Sequence, residues 1–184
     1  MTTPRPISIR RPEIDALVAG TMSVMIRPIG KLGDLPVGAL LWVREPFYLP
    51  RRFAHPRPTA AAETPGCAPV FAADHSPAWF SVHGPGLGAR RYARELPKAW
   101  HRQHLRIRSI ERLPLHDVAE ADMVDAGFKD RELFRIRWDE EVRFAIGVPD
   151  KANLFRANPE VLRIAFDRID APLPAASTKK REEV

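Results

Sequence analysis

Three groups of side chains in this sequence have the types and spacing to do chemistry. The first lies in "TMSVMIR", residues 21–27, where Ser23 offers a hydroxyl and Arg27 an anion contact. A serine becomes a nucleophile only when a base takes its proton, and Asp125 or Lys31 are candidates to serve it. The second is "LWVRE", 41–45, which places Arg44 and Glu45 on opposite faces of one strand. Glu45 is either a cleft carboxylate or a buried partner for an arginine, Arg44 is either a phosphate clamp or a solvent-facing charge, and Trp42 is core or cleft wall rather than a stacking platform. The third runs from 90 to 108: Arg90, Arg91, Tyr92, Arg94, Lys98, Arg102, His104, Arg106 and Arg108, with Trp100 among them. Aromatics interleaved with cations are what single-stranded nucleic acid requires, because bases stack while phosphates are neutralised. Metal chemistry finds little support: His101 and His104 have no third ligand nearby, and Cys67 has no evident base. "GPGLG", 84–88, lacks the lysine and helix start of a phosphate loop.

The chain that must position these groups has 184 residues, 45% hydrophobic, with net charge +6 and a pI near 10.0. One domain with a real core is expected, and a polyanionic partner is favoured. Of the 29 lysines and arginines only six are lysine, and arginine suits phosphate forks and base stacking. A single cysteine excludes an internal disulfide. No stretch reaches membrane-span length, and the first residues have no apolar signal core, so a cytoplasmic protein with no cofactor is expected. Nineteen prolines against ten glycines point to short elements joined by stiff loops.

Periodicity places strands at 7–9, 22–27, 39–45, 78–83, 104–113 and 160–169. Within 104–113 the alternation breaks at Ser109–Ile110, which predicts a bulge. A helix starts at Pro12 and closes at Gly20. A second is expected over 115–127, capped by Asp117 with Glu120 completing a capping box. A third, capped by Asp130, spans 131–145 with Phe134, Trp138, Val142 and Ala145 on one face. Residues 46–77 read as a proline-rich loop or insertion, and the tail 171–184 as disordered. The class is α+β, a small curved sheet or barrel within residues 1–170.

In order along the chain stand P-x-x-x-A-L-x-A-G (Pro12 to Gly20), G-x-x-L-W-V-R-E (Gly38 to Glu45) and L-P-x-x-x-x-R-x-x-L (Leu96 to Leu105). E-A-D-x-x-x-x-G-F (Glu120 to Phe128), W-D (Trp138, Asp139) and N-P-x-V (Asn158 to Val161) follow. This succession resembles the ASCH (activating signal cointegrator homology) domain, in the form common in phages and prophages. The resemblance implies a PUA-like β-barrel with flanking helices and a cleft near the first helix for RNA or a modified nucleoside. Some small relatives are amidohydrolases of acetylated cytidine, using a lysine and threonines in G-x-K-T-x-T-x-R and a glutamate near a helix end. Those positions fall here on Met22, Ser23, Met25 and Ala126, with Asp125 adjacent. A thioether replaces neither an ammonium nor a hydroxyl. The resemblance therefore favours an RNA- or nucleic-acid-binding module with a degenerate catalytic pocket, its cleft lined by Trp42, Arg44, Glu45 and Arg27 and its basic rim running from Arg90 to Arg108. A hydrolase acting on a modified nucleoside or RNA, and a phage-derived protein-interaction module, are the alternatives. Arg27 is expected as a ligand contact or as the partner of Glu45 or Asp122.

Overall fold

The computed structural model describes residues 3–30, 32–146 and 151–169. The expectations for Lys31 and for the tail from 171 lie outside these residues.

The chain folds as α+β around one mixed five-stranded sheet. Strands β1 (Arg5–Ser8), β2 (Val24–Pro28), β3 (Leu40–Arg44), β6 (His104–Pro114) and β7 (Glu160–Ile169) are ordered β1-β3-β6-β7-β2. Only β1 and β3 run parallel. A crossover between parallel strands needs covalent length, and α1 (Glu13–Ala19) and β2 fall within it. Among the described residues no ladder joins β2 to β1, so no closed barrel is found among them.

The long β6–β7 ladder is the spine. Its register slips between Ile107 and Ser109, one residue from the expected break. Before the slip Leu105 and Ile107 face the core, where they meet Leu41 and Val43 of β3, Ile14 and Leu17 of α1, and Leu162, Ile164 and Phe166 of β7. The other face of β2–β7 is covered by α4 (Glu120–Asp125) and α5 (Arg131–Ile146), through Met123, Phe134, Trp138 and Val142 onto Ile26 and Val161. Two covered faces explain why β2 reads as a continuous apolar run from Val24 to Ile26, ahead of the buried Arg27, rather than an alternating one. Each such side chain buried outright contributes roughly 1.5–3 kcal/mol.

The helix ends follow local chemistry unevenly. Gly20 closes α1 at φ 78°, a backbone state that a Cβ disfavours. Asp130 caps α5 as expected, its Oδ1 accepting the Leu133 N–H at 2.8 Å; Ala145 lies outside the described side chains. Asp117 does not cap α4. It ends a separate 3-10 turn, 115–117, and α4 starts three residues later after Ala119 without a side-chain cap.

Two expectations are corrected. Residues 78–83 are not a strand but lie in α3 (Pro77–His83): Ser76 Oγ accepts the Trp79 N–H at 3.2 Å, and Pro77 has the fixed φ of a first helical residue. Residues 46–77 are not simply loop. They hold β4 (Phe47–Tyr48) paired with β5 (Val70–Phe71) and a short helix α2 (Pro58–Ala62). Phe47, Leu49, Ala61 and Phe71 gather with Leu96 into a small core of their own.

Candidate functional site

The positions that the resemblance assigns to catalysis are filled by core side chains. Met22, Met25 and Ala126 are all buried. Ser23 is half-buried and fixed by its backbone: its N–H donates to the Asp125 carbonyl at 3.3 Å, and its carbonyl accepts from Phe166 N–H at 3.0 Å. The neighbourhood of Ser23 and Asp125 is thus real, but these contacts are main-chain ones. Asp125 itself is exposed.

Arg27 is a structural residue. Its guanidinium takes both carboxylate oxygens of Glu13, at 2.7 and 2.9 Å, and the Ile26 carbonyl at 2.8 Å, with both side chains more than nine-tenths buried. The pair pins α1 to β2. Burial works against the Arg27 charge, but Glu13 and then Glu141 outweigh it and hold the guanidinium above its ordinary value. Burial likewise pushes the Glu13 carboxyl up, against the pull of Arg27. Neither expected partner is used: Asp122 takes Arg163 at 2.5 and 2.8 Å, and Glu45 takes Arg102.

Arg102 leaves the basic stripe in the same way. It makes two hydrogen bonds to Glu45, both 2.8 Å, and two to Asp74, both 2.7 Å, with its guanidinium 4.0 Å from the Phe71 ring centre. Burial opposes the charge, yet the two carboxylates hold it above the ordinary value. Glu45 is therefore the inner half of a clamp that ties the end of β3 to residues 71–74.

On the sheet face opposite the core, Trp42 is buried at 5% exposure, with Arg44 4.7 Å from its ring centre and the His101 ring at 5.5 Å. His104, paired with Trp42 across the ladder, is also buried, its ring edge-on to His101. No carboxylate meets Arg44, its Nε has no hydrogen-bond partner among the described residues, and burial lowers its pKa. Farther along β6, Arg106 and Arg108 are exposed and stand beside Asp167, which lies 3.6 Å from Arg108.

The segment 90–94 is placed by the stretch 44–49. Arg44 pairs with Ser8 of β1, and Phe47 exchanges hydrogen bonds with Arg91, at 2.8 and 3.4 Å. Gly88 N–H reaches the Leu49 carbonyl at 2.9 Å, and a Cβ on Gly88 would lie 2.4 Å from Ala54 Cβ. Only glycine lets the segment lie this close. Arg91 then turns inward, donating to the Ala54 carbonyl at 2.6 Å and meeting Glu95 at 3.6 Å. Glu95 also accepts the Tyr92 N–H at 2.8 Å. Tyr92 is left exposed with Arg94 stacked 5.2 Å from its ring centre.

Here a cavity of about 590 Å³ opens, lined by Ser8, Arg10, Arg90, Arg91, Tyr92 and Arg94 with Pro46 and Ala93. No acidic side chain lines it. The Arg10 and Arg90 side chains are exposed, and their guanidiniums make no hydrogen bond or ion pair among the described residues. A second cavity, about 690 Å³, shares Arg10 and Arg90 and adds Arg11, Tyr48, Phe80 and Arg137.

The stripe expected from sequence thus divides. Arg91, Arg102 and His104 are structural; Arg90, Tyr92, Arg94, Lys98, Arg106 and Arg108 remain exposed, and of these Arg90, Tyr92 and Arg94 share one cavity. Sequence reasoning missed Arg10 and the Tyr48–Phe80 wall. The doubled arginine in "ISIRRP", where β1 leaves the sheet, was the available signal for Arg10. Among the described residues no group of three His, Cys, Asp or Glu side chains could hold a metal ion, and no helix is long and apolar enough to cross a membrane.

No family model matches the chain, and no curated protein matches it. Among solved structures it is similar to a DUF984 protein of Enterococcus faecalis V583. That likeness has 10% identity and a TM-score of 0.48, over 92% of this chain and 78% of the other.

Proposed function

We propose that this chain is a nucleic-acid-binding module of ASCH type, with a PUA-like core and a degenerate catalytic pocket, which takes single-stranded RNA in the basic cavity between β1 and residues 90–94. The observation that carries the reading is the pair Arg10 and Arg90. Two guanidiniums with no hydrogen-bonded or ion-paired partner among the described residues line a concave site whose lining includes no carboxylate. Charges left unpaired at the mouth of a cleft raise the local concentration of a polyanion. Tyr92, backed by Arg94, supplies the π-face on which a base stacks. Buried methionines at 22 and 25 and a buried alanine at 126 offer neither base, nucleophile nor carboxylate, so binding is favoured over hydrolysis.

The test is a titration against short single-stranded RNA, hairpin RNA and matched DNA at several salt concentrations. Single strands are expected to bind best, with affinity falling steeply as salt rises. Replacing Arg10, Arg90 and Arg94 by glutamine together is expected to weaken binding and to flatten the log–log salt slope by about 2, at ~0.7 per phosphate contact. Absence of binding at about 50 mM salt would sink the proposal.

A further inference from the structure

The two cavities are best understood together, because Arg10 and Arg90 belong to both. The larger one has two unlike halves. One half is cationic: besides Arg10 and Arg90 it holds Arg11 and Arg137, but these already have carboxylate partners, Asp15 at 2.9 Å and Glu140 at 2.8 Å. The charge available to a ligand is therefore concentrated at the boundary between the cavities. The other half is aromatic. Tyr48 and Phe80 lie 4.8 Å apart at 37°, and Trp79 holds Phe80 edge-on at 5.1 Å and 88°. A bare inorganic anion would satisfy the arginines and leave this wall wet. An apolar ligand would cover the wall and leave two cations unmatched. A planar aromatic group joined to a phosphate satisfies both, and the volume, about 690 Å³, falls within the range of small-molecule sites. Across the boundary the smaller cavity repeats the arrangement, with Tyr92 and Arg94 as its stacking surface.

We propose that the Tyr48–Phe80 cavity seats one nucleobase of a single strand, that the next base lies against Tyr92, and that Arg10 and Arg90 grip the phosphodiester between them. This rests on the nucleic-acid reading above and extends it: the unit recognised is two consecutive, unstacked nucleotides. A duplex cannot present two splayed bases without losing its own pairing and stacking, so duplex is excluded.

Fluorescence anisotropy with a labelled single-stranded RNA of about twelve nucleotides tests it, since one cleft of this kind spans ~4–16 nucleotides. Phe80→Leu and Tyr48→Leu keep apolar volume while removing the π-faces; each is expected to weaken binding about tenfold with an unchanged salt slope. An abasic phosphodiester of equal length, competing against the wild-type protein, is expected to be at least about tenfold weaker than RNA, and this arm needs no variant to fold. A dinucleoside monophosphate is expected to compete and tripolyphosphate to compete poorly. If Arg94→Gln weakens RNA binding while both leucine variants do not, the base seat is wrong and the binding module stands. An abasic strand or tripolyphosphate that competes as well as RNA also overturns the base seat. If wild-type protein binds no RNA at low salt, both proposals fall.

Discussion

Arg102 decides between two accounts of the basic segment, and its removal has a calculable effect. In Arg102→Met the Glu45 carboxylate, 1% exposed, loses both hydrogen bonds and its counter-charge. Breaking one side of a buried pair costs about 3–5 kcal/mol, because the remaining charge stays desolvated. The arm to Asp74 is about one-third exposed and adds only ~0–1 kcal/mol. Loss of the cation over Phe71 is of similar size, partly offset by methionine filling the same space. A net loss of about 4 kcal/mol lowers Tm by about 8–16 °C in a chain of this length. Thermal unfolding followed by circular dichroism measures it. The double variant Glu45→Met, Arg102→Met removes both charges together, leaves no buried polar group behind, and is expected to regain most of the loss. RNA affinity, measured well below the midpoint, is expected to stay within about twofold, since no phosphate contact is removed. A Tm change under about 3 °C would refute the clamp, as would loss of RNA binding in a variant that remains folded.

Gly127 stands at φ 90°, and an added Cβ would lie 2.7 Å from Ala16 Cβ and 3.2 Å from Glu13 Cα. Gly127→Ala is expected to cost about 2–4 kcal/mol from backbone strain and the collision with α1, read from the urea midpoint; an unchanged midpoint would show that α4 is free to back away. Met25→Thr restores the residue type that the ASCH resemblance assigns there. It buries a hydroxyl among apolar side chains at a fully enclosed position and is expected to lower stability by about 2–4 kcal/mol in the same assay; equal or greater stability would mean that the site is still built to hold a polar group.

The elements legible in the sequence were those whose signals are local. β6 alternates before its slip because one face meets the core, and the slip after Ile107 showed as a broken alternation. The end of α1 was legible because Gly20 must be left-handed. α3 was misread because "AWFSVH" is short and apolar, and such runs fit a strand or a helix equally by periodicity; the decisive sign was Ser76–Pro77 ahead of it. The α4 cap failed for the opposite reason. Asp117 and Glu120 satisfy a capping pattern, but Asp117 ends a separate turn whose Leu115 N–H is held by the Pro159 carbonyl, and Glu120 becomes the first residue of α4. Charge pairing was the least legible, because it is set by which elements touch. Nothing near Arg27 in sequence distinguishes Glu13 from Glu45 or Asp122 before α1 is known to pack against β2. Arg10 and Arg90 likewise share a cavity only because β1 pairs with β3 while the chain beyond β3 carries residues 88–91.

The edge position of β1 bears on how copies of this protein behave when concentrated. An outermost strand presents unpaired backbone donors and acceptors, a template on which a second molecule can add a strand. In β1 the residue numbers fix which donors point outward. Ile9 N–H reaches inward to the Arg44 carbonyl, so by alternation the nitrogen of Pro6 points away from β3. Proline has no hydrogen there to donate. The strand keeps its inward bonds, and its open side lacks a donor in the middle of its length. A proline-rich chain thus places one proline where it costs the sheet nothing and protects it from edge-to-edge stacking.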